Sequence, residues 1–299
     1  MDSTFWTNTI WYLVLGLTTI LELAYVMVKT KERKLAFAFY LTLTGIVLSF
    51  ETIILIFMKA YAYYPKILHN PPLPFDDVLA GNLFSQFSVA ATVLLVTVLG
   101  LHYYWYFIFA GVYGLIEESF IALGIYSHNW YRTWITVLLL PVAFWIAKKM
   151  YEKIIQGTKP IIYYGYVYWG LFPLFIVIIN WGLMLLRLQD FSLSVLPDPI
   201  MSRHFLVIVH VLVLSIVMMF IYYFKPKLIS KVFITLMLYT IYYISYKFNL
   251  MIIRDGWFLA VSTLSILGMY FSIFIMDKLY GGPGKKGRQL ASHYFLLCK

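Results

Sequence analysis

Residues 114–134 read Gly114-Leu-Ile-Glu-Glu-Ser-Phe-Ile-Ala-Leu-Gly-Ile-Tyr-Ser-His-Asn-Trp-Tyr-Arg-Thr-Trp134. The first half of this stretch is mostly apolar and predicts a membrane helix, yet it carries two adjacent carboxylates, Glu117 and Glu118. An ionised side chain near the bilayer centre costs about 2.5–3.5 kcal/mol on insertion scales. Because carboxylates in a membrane helix usually serve a function, the stretch predicts both the class of fold and a candidate site.

The composition of the whole chain agrees with a membrane protein. Hydrophobic residues make up 62% of the 299 residues, charged residues only 12%, and the mean hydropathy is +0.82. A water-soluble domain could not expose so much apolar surface without aggregating. The single cysteine, Cys298, excludes a disulfide framework within one chain and a cysteine-rich metal site.

Apolar windows long enough to cross a bilayer predict an all-α, polytopic membrane protein of about nine transmembrane helices. The predicted spans lie near residues 7–28, 35–58, 78–100, 103–126, 134–150, 161–186, 204–224, 231–250 and 257–277.

Basic residues indicate the direction of these helices. The loop after the first predicted helix contains Lys29, Lys31, Arg33 and Lys34. The loop after the fifth contains Lys148, Lys149, Lys153 and Lys159. Lysine and arginine are enriched on the cytoplasmic side, so we expect the N-terminus outside and the C-terminus inside. The formal charge of +10 reflects this bias and suits an anionic lipid surface, so no nucleic-acid partner is expected.

We expect a single transmembrane domain over residues 1–280. It would contain a first helix with its basic loop (1–34) and two four-helix units (35–153 and 161–280), which is a 1+4+4 parallel repeat. Residues 281–299 are rich in glycine and lysine and predict a flexible basic cytoplasmic tail.

Similar residues at the ends of corresponding helices, separated by a nearly constant number of positions, indicate the repeat. Lys59 and Arg187, 128 positions apart, end corresponding helices, and Trp130 and Trp257 precede corresponding helices at an offset of 127. In this alignment Glu117 and Glu118 fall opposite Ile244 and Ser245. The acidic chemistry is therefore expected in the first unit alone.

Polar residues inside the predicted helices concentrate at one depth, on the extracytoplasmic side. The candidate binding residues at this depth are Glu51, Asn82, Gln86, Glu117 and Glu118. They either hydrogen-bond between helices and hold the bundle together, or they line a pocket in which a glutamate binds a cation or exchanges a proton.

Two residues of the following loop complete the candidate site. His128 and Arg132 are predicted to lie near the end of the helix that carries the glutamates, where Arg132 could neutralise one of them. The alternative places both on the surface without a role in the site.

The motifs of several known membrane chemistries do not occur in this sequence. It has no His-Glu-x-x-His or Gly-x-Ser-x-Gly pattern, and its six histidines are scattered. We therefore expect no metal site and no cofactor, and the sequence favours a protein without enzymatic activity over an enzyme.

The segment from Gly114 to Trp134, with Leu-Gly-Ile-Tyr-Ser-His-Asn-Trp followed by Arg-Thr-Trp, resembles a motif of small multi-pass membrane proteins from spore-forming Gram-positive bacteria. Those proteins have no established function. The resemblance implies a bacterial plasma membrane and transfers no activity.

Three hypotheses of function follow from the sequence. The first is a carrier or ligand-binding protein whose acidic pocket takes a proton, a cation or an amine-bearing substrate. The second is a membrane-embedded enzyme that acts on a lipid or isoprenoid, with a glutamate as general acid and Tyr113, Tyr126 and Trp130 around a cationic intermediate. The third is a scaffold or sensor subunit. The lipid bilayer is the partner common to all three, and the oligomeric state stays open.

Overall fold

A computed structural model describes residues 4–283 of the chain. Nine long helices in this range are α1 (Phe5–Lys29), α2 (Arg33–Phe57), α3 (Pro74–Val98), α4 (Tyr104–Ala122), α5 (Thr133–Gln156), α6 (Pro160–Leu185), α7 (Pro199–Phe224), α8 (Leu228–Lys247) and α9 (Phe258–Tyr280). Residues 284–299 of the predicted basic tail lie outside the described range.

Eight of these nine helices are long and apolar enough to cross a membrane. The chain is therefore a helical protein of the polytopic membrane class. The eight do not include α4, the helix that carries Glu117 and Glu118. At 1.5 Å per residue, its 19 residues still extend roughly 28 Å, close to the thickness of the hydrocarbon core.

The helices differ from the predicted spans mainly at their ends. Helix α4 ends at Ala122 rather than near residue 126, because Gly124 adopts a left-handed conformation (φ +70°) and turns the chain back. Helix α3 begins at Pro74, a favourable first position since proline needs no helical N–H partner there.

Four short strands, which the sequence did not predict, join the helix ends in pairs. Strands β1 (Tyr61–Tyr63) and β2 (Tyr126–His128) are antiparallel, with Tyr61 opposite His128. Strands β3 (Gln189–Phe191) and β4 (Met251–Ile253) form the second antiparallel pair. Each pair ties a loop after one helix to the loop after a later helix.

The chain divides into two compact units. Residues 4–170 and 277–283 belong to the first, and Leu171–Met276 form the second. In the first unit α3 is the central helix and packs against α1, α2 and α5. The fully buried small side chains of Ala90 and Ala91 allow this close approach of helices.

The second unit is organised around α7. Asp198 caps the start of this helix by accepting a hydrogen bond from the N–H of Met201 at 2.9 Å. One turn later, the fully buried Arg203 donates from Nε to Oδ1 of Asp190 in β3 at 2.7 Å. This ion pair joins the second strand pair to the helix.

The two strand pairs repeat the same backbone hydrogen bonds. In the first unit the N–H of Tyr64 donates to the carbonyl of Ile125 at 2.9 Å, and in the second the N–H of Ser192 donates to that of Leu250 at 3.0 Å. Tyr64 and Ser192 are 128 residues apart, whereas Ile125 and Leu250 are 125 apart. The loop between the first strand and the next helix is shorter in the second unit, which accounts for the change of offset.

Candidate functional site

The turn after α4 brings the loop histidine back to the glutamates. After Gly124 the chain enters β2 and runs antiparallel to β1, so His128 returns to the level of Glu117, eleven residues earlier. Gly114, one turn before Glu117, lies so close to α5 that a Cβ there would be 2.8 Å from Val137. This close approach places the carboxylates against the first turn of α5.

Glu117 is held by two partners. Its Oε1 lies 2.5 Å from Nε2 of His128, and its Oε2 accepts a hydrogen bond from Oγ1 of Thr136 at 2.6 Å. The side chains of Glu117 and His128 are each 12% exposed. Since two bare lone pairs would repel at 2.5 Å, a proton must lie between the imidazole and the carboxylate.

Thr133 joins the two glutamates. Its hydroxyl donates to Oε1 of Glu118 at 2.5 Å and also lies 3.4 Å from Oε1 of Glu117. Glu118 itself is exposed. Both carboxylates therefore face the N-terminal turn of α5, whose free N–H groups give that helix end a partial positive charge.

Glu51 approaches the first strand pair on the same face as Glu117, because directly opposed residues of an antiparallel pair point to one face. It is 7% exposed and accepts a hydrogen bond from the hydroxyl of Tyr61, the residue opposite His128 in the strand register. The strand pair thus presents one partner to Glu51 and one to Glu117 at the same level. We refer to Glu51, Glu117, Glu118 and His128 as the carboxylate cluster.

Aromatic rings pack against Tyr61 and His128, the strand partners of Glu51 and Glu117. The ring of Tyr131 packs 5.1 Å from that of Tyr61 and 5.9 Å from that of His128. Its hydroxyl lies 3.1 Å from Oγ1 of Thr136, the second partner of Glu117. The ring of Tyr126 lies 5.3 Å from that of Tyr61. Tyr131 thus links Tyr61, the partner of Glu51, to Thr136, a partner of Glu117.

The tyrosines of the loops remain protonated hydrogen-bond donors at neutral pH. Burial, reinforced by the charge of Glu51, raises the pKa of Tyr61 well above its ordinary value. Burial also raises the pKa of Tyr131 to about 12. Neither phenol therefore adds negative charge to the carboxylate cluster.

The two predicted amides pair with each other. Asn82 and Gln86 are both buried in α3, one helical turn apart, and Nε2 of Gln86 donates to Oδ1 of Asn82 at 3.3 Å. Within residues 4–283, neither amide forms a hydrogen bond with a glutamate of the carboxylate cluster. This bond lies within one helix, so it shows neither a contact between helices nor a place in the carboxylate cluster.

Arg132 also lies apart from the glutamates. Its Nη1 donates to the backbone carbonyls of Asn129 at 2.9 Å and Tyr131 at 2.6 Å. The expected contact between Arg132 and a glutamate does not form, because the guanidinium bonds the carbonyls of its own loop instead. His128 takes that place opposite Glu117.

Sequence reasoning missed the neutral hydroxyl partners. Thr133 and Thr136 are three apart and share a face of α5, a spacing that could have identified them as a pair of donors. Another carboxylate contact, also missed, lies elsewhere in the first unit, where the half-buried Glu22 of α1 accepts from Thr92 of α3 at 2.8 Å. No group of three or more metal-ligating side chains occurs among residues 4–283.

The second unit has neutral residues at the equivalent positions. In place of the bond between Tyr61 and Glu51, Nε2 of Gln189 donates to Oδ1 of Asn180 at 2.8 Å. Strands β2 and β4 are offset by 125 residues, so Glu117 corresponds to Tyr242. The sequence alignment had predicted Ile244 as its counterpart. The carboxylates therefore belong to one unit in this register too.

Comparison with known proteins gave no match to any family model, curated protein or solved structure.

Proposed function

We propose that this chain is a membrane carrier or ligand-binding protein that takes up a cation at the carboxylate cluster. The ligand would be a proton exchanged with a larger cation, or a substrate that bears an amine. Glu117 and Glu118 would provide the charge that meets the ligand, and Glu51 would add a third carboxylate from its place beside Tyr61.

The observation that carries this proposal is the charge balance of the cluster. Within residues 4–283, none of Glu51, Glu117 and Glu118 has a lysine or arginine within ion-pair distance, and the one basic partner is His128. Three carboxylates with one imidazole hold excess negative charge unless protons neutralise it. In apolar surroundings that charge is costly, so binding a proton or a cation there is favourable.

The surrounding rings favour an organic cation as the larger ligand. The ring centroid of Tyr61 lies 5.3 Å from that of Tyr126 and 5.1 Å from that of Tyr131, beside the carboxylates. Aromatic faces attract cations, and cages of this kind suit ammonium groups that carry apolar substituents. A hydrated alkali ion would gain less from them.

The proposed direction of the protein puts the cluster on the outer side of a bacterial plasma membrane. We infer nine crossings, with the N-terminus outside, from the basic loops at residues 29–34 and 148–159. The strand pairs lie at the opposite ends of the helices from these loops. The resemblance of residues 114–134 to bacterial multi-pass proteins supports the plasma membrane.

We further propose that the two units arose by duplication and that only the first kept an acidic site. The equal backbone hydrogen bonds of the two strand pairs support the duplication. The replacement of the Glu51 and Tyr61 pair by Asn180 and Gln189 supports the loss of charge in the second unit.

The test is proton movement through purified protein in liposomes that contain a pH-sensitive dye. A pH gradient is imposed, and methylammonium or tetramethylammonium is then added outside. We expect a cation-dependent proton flux in the natural protein that is abolished in the Glu117→Gln, Glu118→Gln double variant. Tetramethylammonium discriminates between carrier exchange and simple diffusion of the neutral amine, since it has no neutral form.

The matched control is Glu152→Gln, which removes a glutamate of α5 that pairs with Lys149 at 3.1 Å, away from the carboxylate cluster. Its flux should equal that of the natural protein. If the double variant shows the same flux as the natural protein, with both monodisperse and equally inserted, the proposal is refuted.

A further inference from the structure

A cavity of about 120 Å³ lies in the second unit, between α7, α8 and the second strand pair. Its walls are mostly apolar, and its polar groups are His210 and Tyr242, whose side chains are 3.1 Å apart (Nε2 to hydroxyl), and Ser245. We call this cavity the second-unit cleft. It has room for about one aromatic ring, since a cavity of roughly 150 Å³ holds a benzene molecule.

The equivalent place in the first unit is filled by helix α1. The hydroxyl of Tyr12, on α1, donates to the carbonyl of Ile125 at 2.5 Å. Its ring packs 5.2 Å from that of Phe120 and 6.2 Å from that of Tyr63. One turn later, Gly16 passes so close to Phe84 that a Cβ there would lie 2.8 Å from the ring.

The residues that surround Tyr12 and Gly16 correspond to residues that line the second-unit cleft. The offset of 128 at the first strands makes Phe191 the counterpart of Tyr63. The offset of 125 after them gives the counterparts of Phe84, Phe120 and Ile125, which are Val209, Ser245 and Leu250, respectively. Leu206, which replaces Gly81, narrows the cleft, whereas Ser245 and Val209 replace phenylalanines and widen it. The second unit thus has the binding surface for a helix like α1 without having that helix.

We propose that the second-unit cleft binds a transmembrane helix of another protein, which inserts a tyrosine as α1 inserts Tyr12. The tyrosine hydroxyl would donate to the carbonyl of Leu250. In the first unit the carbonyl of Ile125 accepts two hydrogen bonds, one from the N–H of Tyr64 and one from the hydroxyl of Tyr12. The carbonyl of Leu250 accepts the first of these bonds, from the N–H of Ser192, and can accept a second. The interaction surface goes beyond the cation site and does not depend on it.

The chemistry of the cleft favours a helix with a hydroxyl group over a lipid chain. Carbonyl, imidazole and phenol groups at its wall can exchange hydrogen bonds with a tyrosine, and inside a membrane such bonds stabilise helix pairs. An acyl chain would leave these groups without new partners. The apolar rest of the cleft would contact the ring and the helix surface.

Site-specific photo-crosslinking in nanodiscs tests the proposal with the full chain. A benzophenone amino acid is placed at Val209, which lines the cleft, or at Leu212, which does not; the two residues are 40% and 42% exposed. The probes are a synthetic helix with the sequence of residues 4–30 and a leucine-alanine host helix that carries one tyrosine at the same depth. Each has a partner peptide in which that tyrosine is alanine.

We expect the tyrosine peptides to crosslink at Val209 at concentrations about tenfold lower than the alanine peptides, a difference of about 1.4 kcal/mol. Crosslinking at Leu212 should be weak and independent of the tyrosine. Ser245→Trp, which fills the cleft, should remove the preference, whereas Thr240→Trp on the same helix should preserve it.

Three results would overturn the proposal. The first is equal crosslinking at Val209 and Leu212, or equal crosslinking by tyrosine and alanine peptides of both series. The second is a phospholipid adduct at Val209 that the peptides do not displace, which would assign the cleft to lipid. The third is an adduct between two copies of the chain, which would assign it to self-association.

Discussion

Nε2 of His128 lies 2.5 Å from Oε1 of Glu117, in a pair that is almost enclosed by protein. The contact joins an acid and a base, so removal of either side chain leaves the other without its hydrogen-bond partner. The pair also fixes the turn between α4 and α5, because His128 belongs to β2 and Glu117 to α4.

We expect Glu117→Gln and His128→Asn to be strongly non-additive. A double-mutant cycle measured by unfolding in mixed micelles should give a coupling free energy of about 1 kcal/mol, within the range found for membrane hydrogen bonds. Glu152→Gln with His128→Asn provides the control pair, since Glu152 pairs with Lys149 away from the carboxylate cluster. Strict additivity of the first pair would show that the short contact does not contribute to stability.

The hydrogen bond between Tyr61 and Glu51 should be asymmetric in its two partners. Tyr61→Phe leaves a buried carboxylate without its donor, which costs about 1–3 kcal/mol, whereas Glu51→Gln keeps an oxygen that can accept the same bond. The free energy of unfolding should therefore fall more for Tyr61→Phe. In the Glu51→Gln background, the further change Tyr61→Phe should cost less than it does in the natural protein.

The helices of this fold could be predicted from the sequence, but the strands that close the site could not. Apolar windows mark helices because a bilayer crossing needs about 20 such residues. The same criterion extended α4 through Ile125 and Tyr126, which are apolar but follow the left-handed Gly124. Strands of three residues are too short to show a period in the sequence.

The candidate site was predictable where it carries charge. Glu51, Glu117 and Glu118 attract attention because carboxylates in a membrane helix are costly, and His128 because it follows them closely. Tyr61, Thr133 and Thr136 carry no such cost, and their role depends on helix packing that the sequence does not state. Arg132 shows the converse error, since proximity in sequence predicted a contact with a glutamate, whereas the guanidinium bonds the backbone carbonyls of its own loop.

Gly81 should be a position in the first unit where even a methyl side chain lowers the stability of the protein. A Cβ there would lie 2.9 Å from Cγ of Pro65 and 3.2 Å from Cε1 of Tyr12, so Gly81→Ala should destabilise the protein by about 1–3 kcal/mol. Gly111→Ala in α4 meets nothing within 4 Å and should be neutral or stabilising by up to about 1 kcal/mol. Thermal unfolding in detergent compares the two, and a milder effect at Gly81 would contradict the packing of α1 on α3.

The proposed orientation can be measured with single cysteines in a Cys298→Ser background. His69→Cys, in the loop after β1, should react with a membrane-impermeant maleimide in intact cells. Lys159→Cys, in the loop after α5, should react only after the membrane is opened. The reverse pattern would invert the protein and move the carboxylate cluster to the cytoplasmic side, while equal labelling of both would contradict an odd number of crossings between them.

The ion pair of the second unit should show the cost of isolating a buried charge. Arg203 is fully buried and donates from Nε and Nη2 to the two carboxylate oxygens of Asp190, at 2.7 and 3.3 Å. Asp190→Asn keeps the shape of the side chain but removes the charge opposite the guanidinium, which should cost about 3 kcal/mol. The double variant Asp190→Asn, Arg203→Met should lose less than the sum of the single changes, because no charge is then left buried. Urea unfolding in micelles measures the free energy of unfolding of each variant. Lys231→Met on α8 is the control. Additive losses would mean that the guanidinium is stabilised mainly by its other contacts, and the strand pair would then depend on backbone hydrogen bonds alone.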